Sequence, residues 1–415
     1  MSEGKIYDLI VIGGGASGMM AAGRAAERGK SVLLLEKNKK LGEKLKITGG
    51  GRCNITNAEE DEHILLKKYG SAEPYLYSPF SQFGVGDTFK FFERRGLPLV
   101  VQAQNRVFPL TEKAIDVFKI LEKYLTDGGV EVKTGQTVTN LIKENGKLTS
   151  VTVGTTTYRA HNFILATGGL SHPETGSTGD GFNWLEKLGH SVVLPSPTVV
   201  PLAIEDKWIK NLAGVSLAET KLTFTVNGIK NFTKKGPLLF THFGLSGPLV
   251  LNSSGKVADL LHEGSVMVLV DLFPTLDLGA CERWLLDIFD KNKNRSFKNV
   301  LKEFLSPVLA SGLVASGILP IEADKKTNSI TKEERKSLVR MLKALPFTVK
   351  GLMGFDRAVV TDGGVLVGEV DMKTMRSNLT SNLYLTGDIL HISRPSGGYS
   401  LQLCWTTGYV AGSCV

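Results

Sequence analysis

The stretch DLIVIGGGASGMMAAGRAA, residues 8 to 26, decides the fold. Tyr7 to Ile12 is rich in Ile, Leu and Val with little alternation, as a strand buried on both faces of a parallel sheet should be. It runs into Gly13, Gly15 and Gly18, spaced GxGxxG, then into a helical pattern from Ala16 to Arg28 that Gly29 closes. In such a unit the first glycine makes the turn, the second lets the backbone approach a pyrophosphate, and the third lets helix and strand pack closely. The helix N-terminus then faces the phosphate charge. A second strand, SVLLLEK (31 to 37), ends in Glu36, at about the 20-residue separation where a dinucleotide fold places its ribose-binding acid. An acid there favours an unphosphorylated ribose, hence FAD or NAD rather than NADP.

The same stretch is apolar enough to imitate a signal peptide. No basic segment precedes it, glycines interrupt it, and Arg24, Glu27 and Arg28 follow in helical spacing, so no targeting or transmembrane segment is expected.

At 415 residues the chain exceeds the size at which a single core keeps growing, and two or three domains are expected. With 42% hydrophobic and 22% charged residues it is neither disordered nor fibrous in composition. A formal charge of +8 suits an anionic partner, whether nucleotide, nucleic acid or membrane surface, and suits a general solubility charge equally well. The four cysteines, Cys53, Cys281, Cys404 and Cys414, lack CxxC spacing; this fits a reducing cytoplasm and offers no zinc site, so no metal is expected.

After the second strand comes KNKKLGEKLKITGGGRCNITN (37 to 57), where Lys37, Lys44 and other lysines precede a glycine triplet. Flexible backbone NH groups with Lys and Arg make a natural wrap for an extended phosphodiester cofactor, though an exposed basic loop would look similar. Residues 128 to 169 read as a parallel strand, a small antiparallel meander and a return strand, FILATGG. Residues 381 to 412 run from a strand to Gly387 and Asp388, then through a glycine-rich turn into an apolar helix starting near Gly398. An acid so placed suits the ribityl chain of FAD, and the helix would aim its positive end at the flavin pyrimidine ring.

The segments TGGGRCNITN (48 to 57), ATGGLSHPETGSTGDG (166 to 181), FTHFGLSGP (240 to 248) and SGGYSLQ (396 to 402) resemble the signatures of the BaiN-like, or aminoacetone-oxidase-like, FAD-binding enzymes over nearly the whole chain. The resemblance implies an α/β flavoprotein of the glutathione-reductase-like superfamily: a discontinuous Rossmann-like FAD domain interrupted by a β-barrel-like domain and a helical domain. It implies FAD contacts from Gly13, Gly15, Ala16, Ser17 and Gly18, from Glu36, Lys37 and Lys44, and from Thr48, Gly50, Gly51, Arg52, Cys53 and Asn54. Val138, the turn Ala166, Thr167, Gly168 and Gly169, and the closing Gly387, Asp388, Gly397, Gly398, Tyr399, Ser400 and Leu401 complete the set. Family members often carry Glu and Asn where this chain has Asp388 and Ser400, so backbone contacts are the firmer expectation there.

The insertion is legible independently of that resemblance. From about Val192 to Leu272 short β-rich runs such as KLTFTVNG and SVMVLVDL suit a small barrel. From 273 to 345 the pattern is helical, the last helix opening with a capping box from Thr331 to Glu334. Strands return in FTVKG and RAVVTDGGV, giving expected boundaries of 1–191 and 346–415 for the FAD domain, 192–272 for the barrel and 273–345 for the helices. Residues 196 to 345 hold 20 Lys and Arg against 15 Asp and Glu, with clusters at Lys291, Lys293, Arg295 and Lys298 and from Lys332 to Lys343. Such a face suits RNA backbone, and any one cluster also suits a solvated helix. The chain closes on AGSCV within a helical pattern, so a few further residues are expected.

No second GxGxxG follows a strand, so NADH or NADPH would dock only transiently as reductant. Cys53 has no paired cysteine beside it and reads as a packing residue rather than a redox thiol. Polar candidates near the flavin are Arg52, Asn54, His172, Thr241, His242 and Tyr399. His242, in FTHFGLSGP, is the first choice for acid work, with Arg52 and Tyr399 beside it; holding the insertion in place is the plainer role for His242. The resemblance carries three substrate readings: a small amino ketone, a steroid-like enone, and uridine in ribosomal RNA. The basic balance favours RNA, which makes a cytoplasmic RNA-modifying flavoenzyme the expectation and a flavin-containing binding factor without turnover its non-enzymatic alternative.

Overall fold

The computed structural model describes residues 5–415. The chain divides into two compact units, one running to Pro197 and resuming at Phe355, the other Thr198–Gly354.

The first unit is built on the quoted stretch. Strand β1 (Ile6–Ile12) leads into helix α1 (Ala16–Glu27), and strand β2 (Val32–Leu35) lies parallel to β1 with Leu9 opposite Val32 and Ile12 opposite Leu35. Leu9, Ile10 and Val11 are wholly buried, which is why the strand needs no polar alternation. Strand β3 (Glu131–Lys133) extends the sheet beyond β2. The meander expected over 128 to 169 is β4 (Val138–Glu144), β5 (Lys147–Val153) and β6 (Thr156–Leu165), antiparallel to one another, with β6 returning parallel to β1. The strand Leu383–Leu385 then pairs parallel with β6. The last helix, Tyr399–Cys414, is apolar all round because it is buried against α1. Glycines allow the approach: a Cβ on Gly408 would lie 2.4 Å from the Ser17 carbonyl oxygen, and one on Gly412 2.4 Å from that of Ala21.

The second unit is a closed six-stranded antiparallel barrel with helices around one shared core. Its strands are Leu202–Ile204, Ser216–Val226, Ile229–Phe240, Gly244–Ser246, Val266–Asp271 and Leu345–Leu352. The expected boundaries at 191/192 and 345/346 differ from these units. Strand Val192–Thr198 pairs with Val360–Val365 rather than with the barrel, and Leu345–Leu352 closes the barrel instead of leading back to the FAD domain. Nor do the helices stand as a separate domain. Leu272 donates its NH to the Leu342 carbonyl at 3.0 Å, and Cys281, Leu285 and Leu338 share the core of Phe224 and Phe347. No helix among the described residues is long and apolar enough to cross a membrane.

Candidate active site

A cleft of the first unit gathers the ends of its parallel strands. On one side stands the β1–α1 turn. A Cβ on Gly18 would sit 1.9 Å from the Gly13 carbonyl oxygen, so only glycine lets helix and strand meet there. Gly15 has nothing within 4 Å of its would-be Cβ; it lines the open cleft with Gly13, Ala16 and Ser17. No side chain caps α1, which leaves its first-turn NH groups to the cleft. The last helix repeats the arrangement, since Gly398 caps it without a side-chain hydrogen bond while Ser400 and Leu401 line the cleft. Two uncapped helix N-termini on one cleft form a place for negative charge.

At the end of β2, Glu36 is buried, accepting from the NH of Gly14 at 2.7 Å and from that of Asn38 at 2.8 Å. Lys37 reaches Asp180 at 2.8 Å and also Thr178; burial acts to raise the Asp180 carboxyl, and the bonds from Lys37 and Thr178 hold it below its ordinary range. Both segments line the cleft, as does Val138 with its neighbours Gln136 and Thr137. Ala166, Thr167 and Gly168 form the floor, where Thr167 Oγ1 is buried without a partner. An orphan hydroxyl in a cleft walled by glycine turns fits a polar ligand of the length and charge of FAD.

At the other wall, Lys44 Nζ lies 2.5 Å from Ser171 Oγ and 3.3 Å from Asp388 Oδ2. Asp388 Oδ1 accepts from Arg394 Nη2. Burial acts to raise the Asp388 carboxyl, yet the Arg394 guanidinium and the Lys44 ammonium hold it below the usual carboxylate range. Thr48 completes this side.

The remaining expected residues stand behind the wall rather than on it. Gly169 packs on Thr361, Gly387 on Ser17, Gly397 on the Tyr399 ring and Gly398 on the Thr56 backbone. Tyr399 is buried, its ring edge-on to Tyr69 at 5.9 Å and its carbonyl accepting from the Tyr69 hydroxyl at 2.9 Å; burial, then Glu59, pushes its phenol above the ordinary value. Gly50 and Gly51, both at positive φ, face open space. Cys53 is sealed in the core, and burial pushes its thiol up to about 12. Asn54 Oδ1 and Arg52 Nε are buried and unpartnered. Arg52 does not line the cleft: its Nη2 donates to Gln102 at 2.7 Å and Glu112 at 2.5 Å, and its guanidinium lies 4.3 Å from the Phe108 ring centre. His172, at φ 53°, bonds Glu174 at 2.8 Å. His242 and Thr241 belong to the second unit, in the turn before strand Gly244–Ser246, with His242 exposed and its ring 5.0 Å from that of Phe243.

Sequence reasoning missed Arg394, the buried partner of Asp388, although it lies within HISRPSGG; a lone arginine in a loop carries no sign of burial. It also missed Thr361, whose Oγ1 accepts from the NH groups of Leu170 and Ser171 at 2.8 and 2.9 Å and so fixes the floor.

This fold and cleft define the class as FAD-dependent oxidoreductases. The chain belongs to the HI0933-like Rossmann-domain family, which it matches over residues 7–414. It is 30% identical over 407 residues to the 3-dehydro-bile acid delta(4,6)-reductase of Clostridium scindens, covering 97% of each chain. It is 31% identical over 407 residues to the ribosomal RNA dihydrouridine synthase of Haemophilus influenzae, covering 96% of each, and 28% identical over 408 residues to that of Escherichia coli, covering 97% of this chain and 96% of the relative. Among solved structures, the 3-ketosteroid-delta4-(5alpha)-dehydrogenase of Rhodococcus jostii shares the fold, with a TM-score of 0.56 at 14% identity, covering 100% of this chain and 97% of that one.

Proposed function

We propose that this chain adds hydrogen across a carbon–carbon double bond, and that its substrate is uridine in ribosomal RNA, which becomes dihydrouridine. The observation that carries the reading is the near full-length kinship with ribosomal RNA dihydrouridine synthases of two organisms. The cationic surplus of residues 196 to 345 supports it, since an RNA backbone uses such charge and a small neutral substrate does not.

FAD, when bound, supplies the hydride from flavin N5. The chain's own residues hold and orient. The NH groups opening α1 suit the pyrophosphate, Glu36 a ribose hydroxyl, and Lys44 with the ionised Asp388 the polar chain toward the flavin. The first turn of the last helix offers its NH groups to charge on the pyrimidine ring. A nicotinamide reductant would dock transiently, because the chain carries no second GxGxxG after a strand.

The bile acid reductase of comparable identity favours a second reading, a small conjugated enone as substrate. Mass-spectrometric mapping of dihydrouridine in ribosomal RNA, from cells with and without the gene, separates the two. Loss of one modification, restored by the intact gene but not by Gly15→Asp, which puts a carboxylate where a pyrophosphate belongs, is the expected result. An unchanged profile overturns the RNA reading.

A further inference from the structure

We infer that the hairpin Ser216–Val226 and Ile229–Phe240, with the adjoining helix Ser254–Glu263, is the surface on which the RNA backbone docks. This rests on the RNA reading above and places its binding energy elsewhere than the sequence clusters do. In the helical clusters, cations alternate with acids. Arg295 pairs with Glu303, Lys298 with Asp324 at 2.5 Å, Lys325 with Glu334 at 2.6 Å, and Arg335 with Glu282 at 3.2 Å. Part of that charge is neutralised within the fold, while Lys332, Lys336 and Arg340, which form no ion pair among the described residues, share their helix with Glu333 and Glu334.

The hairpin differs. It carries Lys221, Lys230, Lys234 and Lys235 against the single acid Glu219. Phe232 and Lys234 share one face of their strand, a bulge sets Lys230 off at the tip end, and Lys235 lies on the other face directly opposite Lys221. From the neighbouring helix, Lys256 places its Nζ 4.5 Å from the Phe232 ring centre. That ring is itself stacked on Phe224 at 4.4 Å, so an aromatic pair fixes the ammonium in place. Lys234 Nζ is steadied by the Asn252 carbonyl at 3.1 Å. Among the described residues, Lys230, Lys234, Lys235 and Lys256 form no ion pair, and neither do the local acids Glu219, Asp259 and Glu263. Lys221, Lys230, Lys234, Lys235 and Lys256 outnumber Glu219, Asp259 and Glu263 on this hairpin and helix, and an external polyanion relieves the repulsion among the surplus cations. The Asn227-Gly228 turn, both residues at positive φ, holds the tip, and Lys230, Lys234, Lys235 and Lys256 are all exposed.

The test compares three FAD-loaded proteins for binding to deproteinised ribosomal RNA from cells lacking the gene, as a function of salt. They are the wild type, a hairpin variant (Lys230→Gln, Lys234→Gln, Lys235→Gln, Lys256→Gln) and a helix variant (Lys332→Gln, Lys336→Gln, Arg340→Gln). Removing four phosphate contacts should lower the slope of log affinity against log salt by about 3 and weaken binding at least roughly tenfold, with FAD content unchanged. The helix variant should stay near wild type. If the hairpin variant binds as wild type does, or the helix variant alone loses binding, the docking surface is wrong while the RNA reading stands. If the wild type binds no RNA and reduces no uridine, both fall together. A hairpin variant that loses FAD is replaced by Lys230→Gln and Lys256→Gln singly, each expected to lower the slope by about 0.7.

Discussion

Arg394, with no exposed side-chain surface, gives its Nη2 to Asp388, its Nε to Ser400 Oγ at 3.0 Å and its Nη1 to the Ile392 carbonyl at 2.5 Å. Lys44 stands 3.3 Å from the other Asp388 oxygen. One carboxylate thus ties two cations, and through them the glycine turn after the second β-strand, the return strand and the first turn of the last helix. The pair shapes one wall of the cleft.

Arg394→Met should remove that tie and leave Asp388 enclosed with Lys44 alone. Stripping one member from a buried ion pair typically destabilises by about 3–5 kcal/mol, and FAD content should fall with it. The sign of the pH effect follows from the lowered Asp388 carboxyl. A carboxyl lower in the folded than the unfolded state adds stability above its unfolded pKa, and that stability is lost as pH falls through the folded value. Without Arg394 the folded value rises, so acid unfolding should begin at higher pH. The double variant Asp388→Asn, Arg394→Met should recover part of the loss. Urea titrations across pH check this; an unmoved acid midpoint in the single variant would refute the pairing.

Gly18→Ala and Gly15→Ala should separate packing from binding. The first drives a Cβ to 1.9 Å from the Gly13 carbonyl, a backbone clash that costs typically 1–3 kcal/mol or more, lowering Tm and FAD content together. The second meets nothing within 4 Å in the protein, so Tm of the flavin-free form should hold while FAD affinity drops. Thermal melts with and without FAD are the measurement, and equal losses of flavin-free stability would contradict the assignment.

The buried thiols should be inert. Burial pushes Cys53 and Cys404 each up to about 12, so neither is a thiolate near neutral pH. Iodoacetamide at pH 8 should therefore label the half-buried Cys414 first and Cys53 only on unfolding. Cys53→Ala should retain turnover. Rapid labelling of Cys53 in the native protein would reopen a redox role.

The βαβ unit was legible because its signal is local: a buried apolar strand, glycines at fixed spacing and an acid at the next strand end all fall within Tyr7 to Lys37. The meander and return strand follow from the same short-range periodicity. What the sequence hid is what needs distant partners. FTVKG closes the barrel because Phe347 and Val349 face its core, yet nothing in five residues says which sheet takes them. Arg394 looks like any loop arginine until Asp388 and Ser400 are folded around it. The basic runs from Lys291 to Lys343 look alike in sequence, and only the fold shows which cations have found carboxylates.

Arg52 offers the last discrimination, because two roles, catalytic and cofactor-binding, are expected of it from sequence, while its guanidinium turns toward Glu112, Gln102 and Phe108. The Gln102 amide, then Arg52, holds the Glu112 carboxyl below its ordinary value, so the clamp is charged at neutral pH. The pair is exposed and contributes little to stability. Arg52→Ala should therefore leave Tm nearly unchanged. If Arg52 serves substrate, releasing Glu112 to bind an incoming carbonyl or phosphate, the alanine variant should keep full FAD content and raise KM roughly tenfold, the worth of one charge-assisted hydrogen bond. Glu112→Gln, which frees the guanidinium, should leave KM equal or lower. FAD lost in proportion to activity would instead assign Arg52 to the cofactor, and an unchanged KM with full FAD would leave it a clamp for the hairpin Leu99–Pro109 alone.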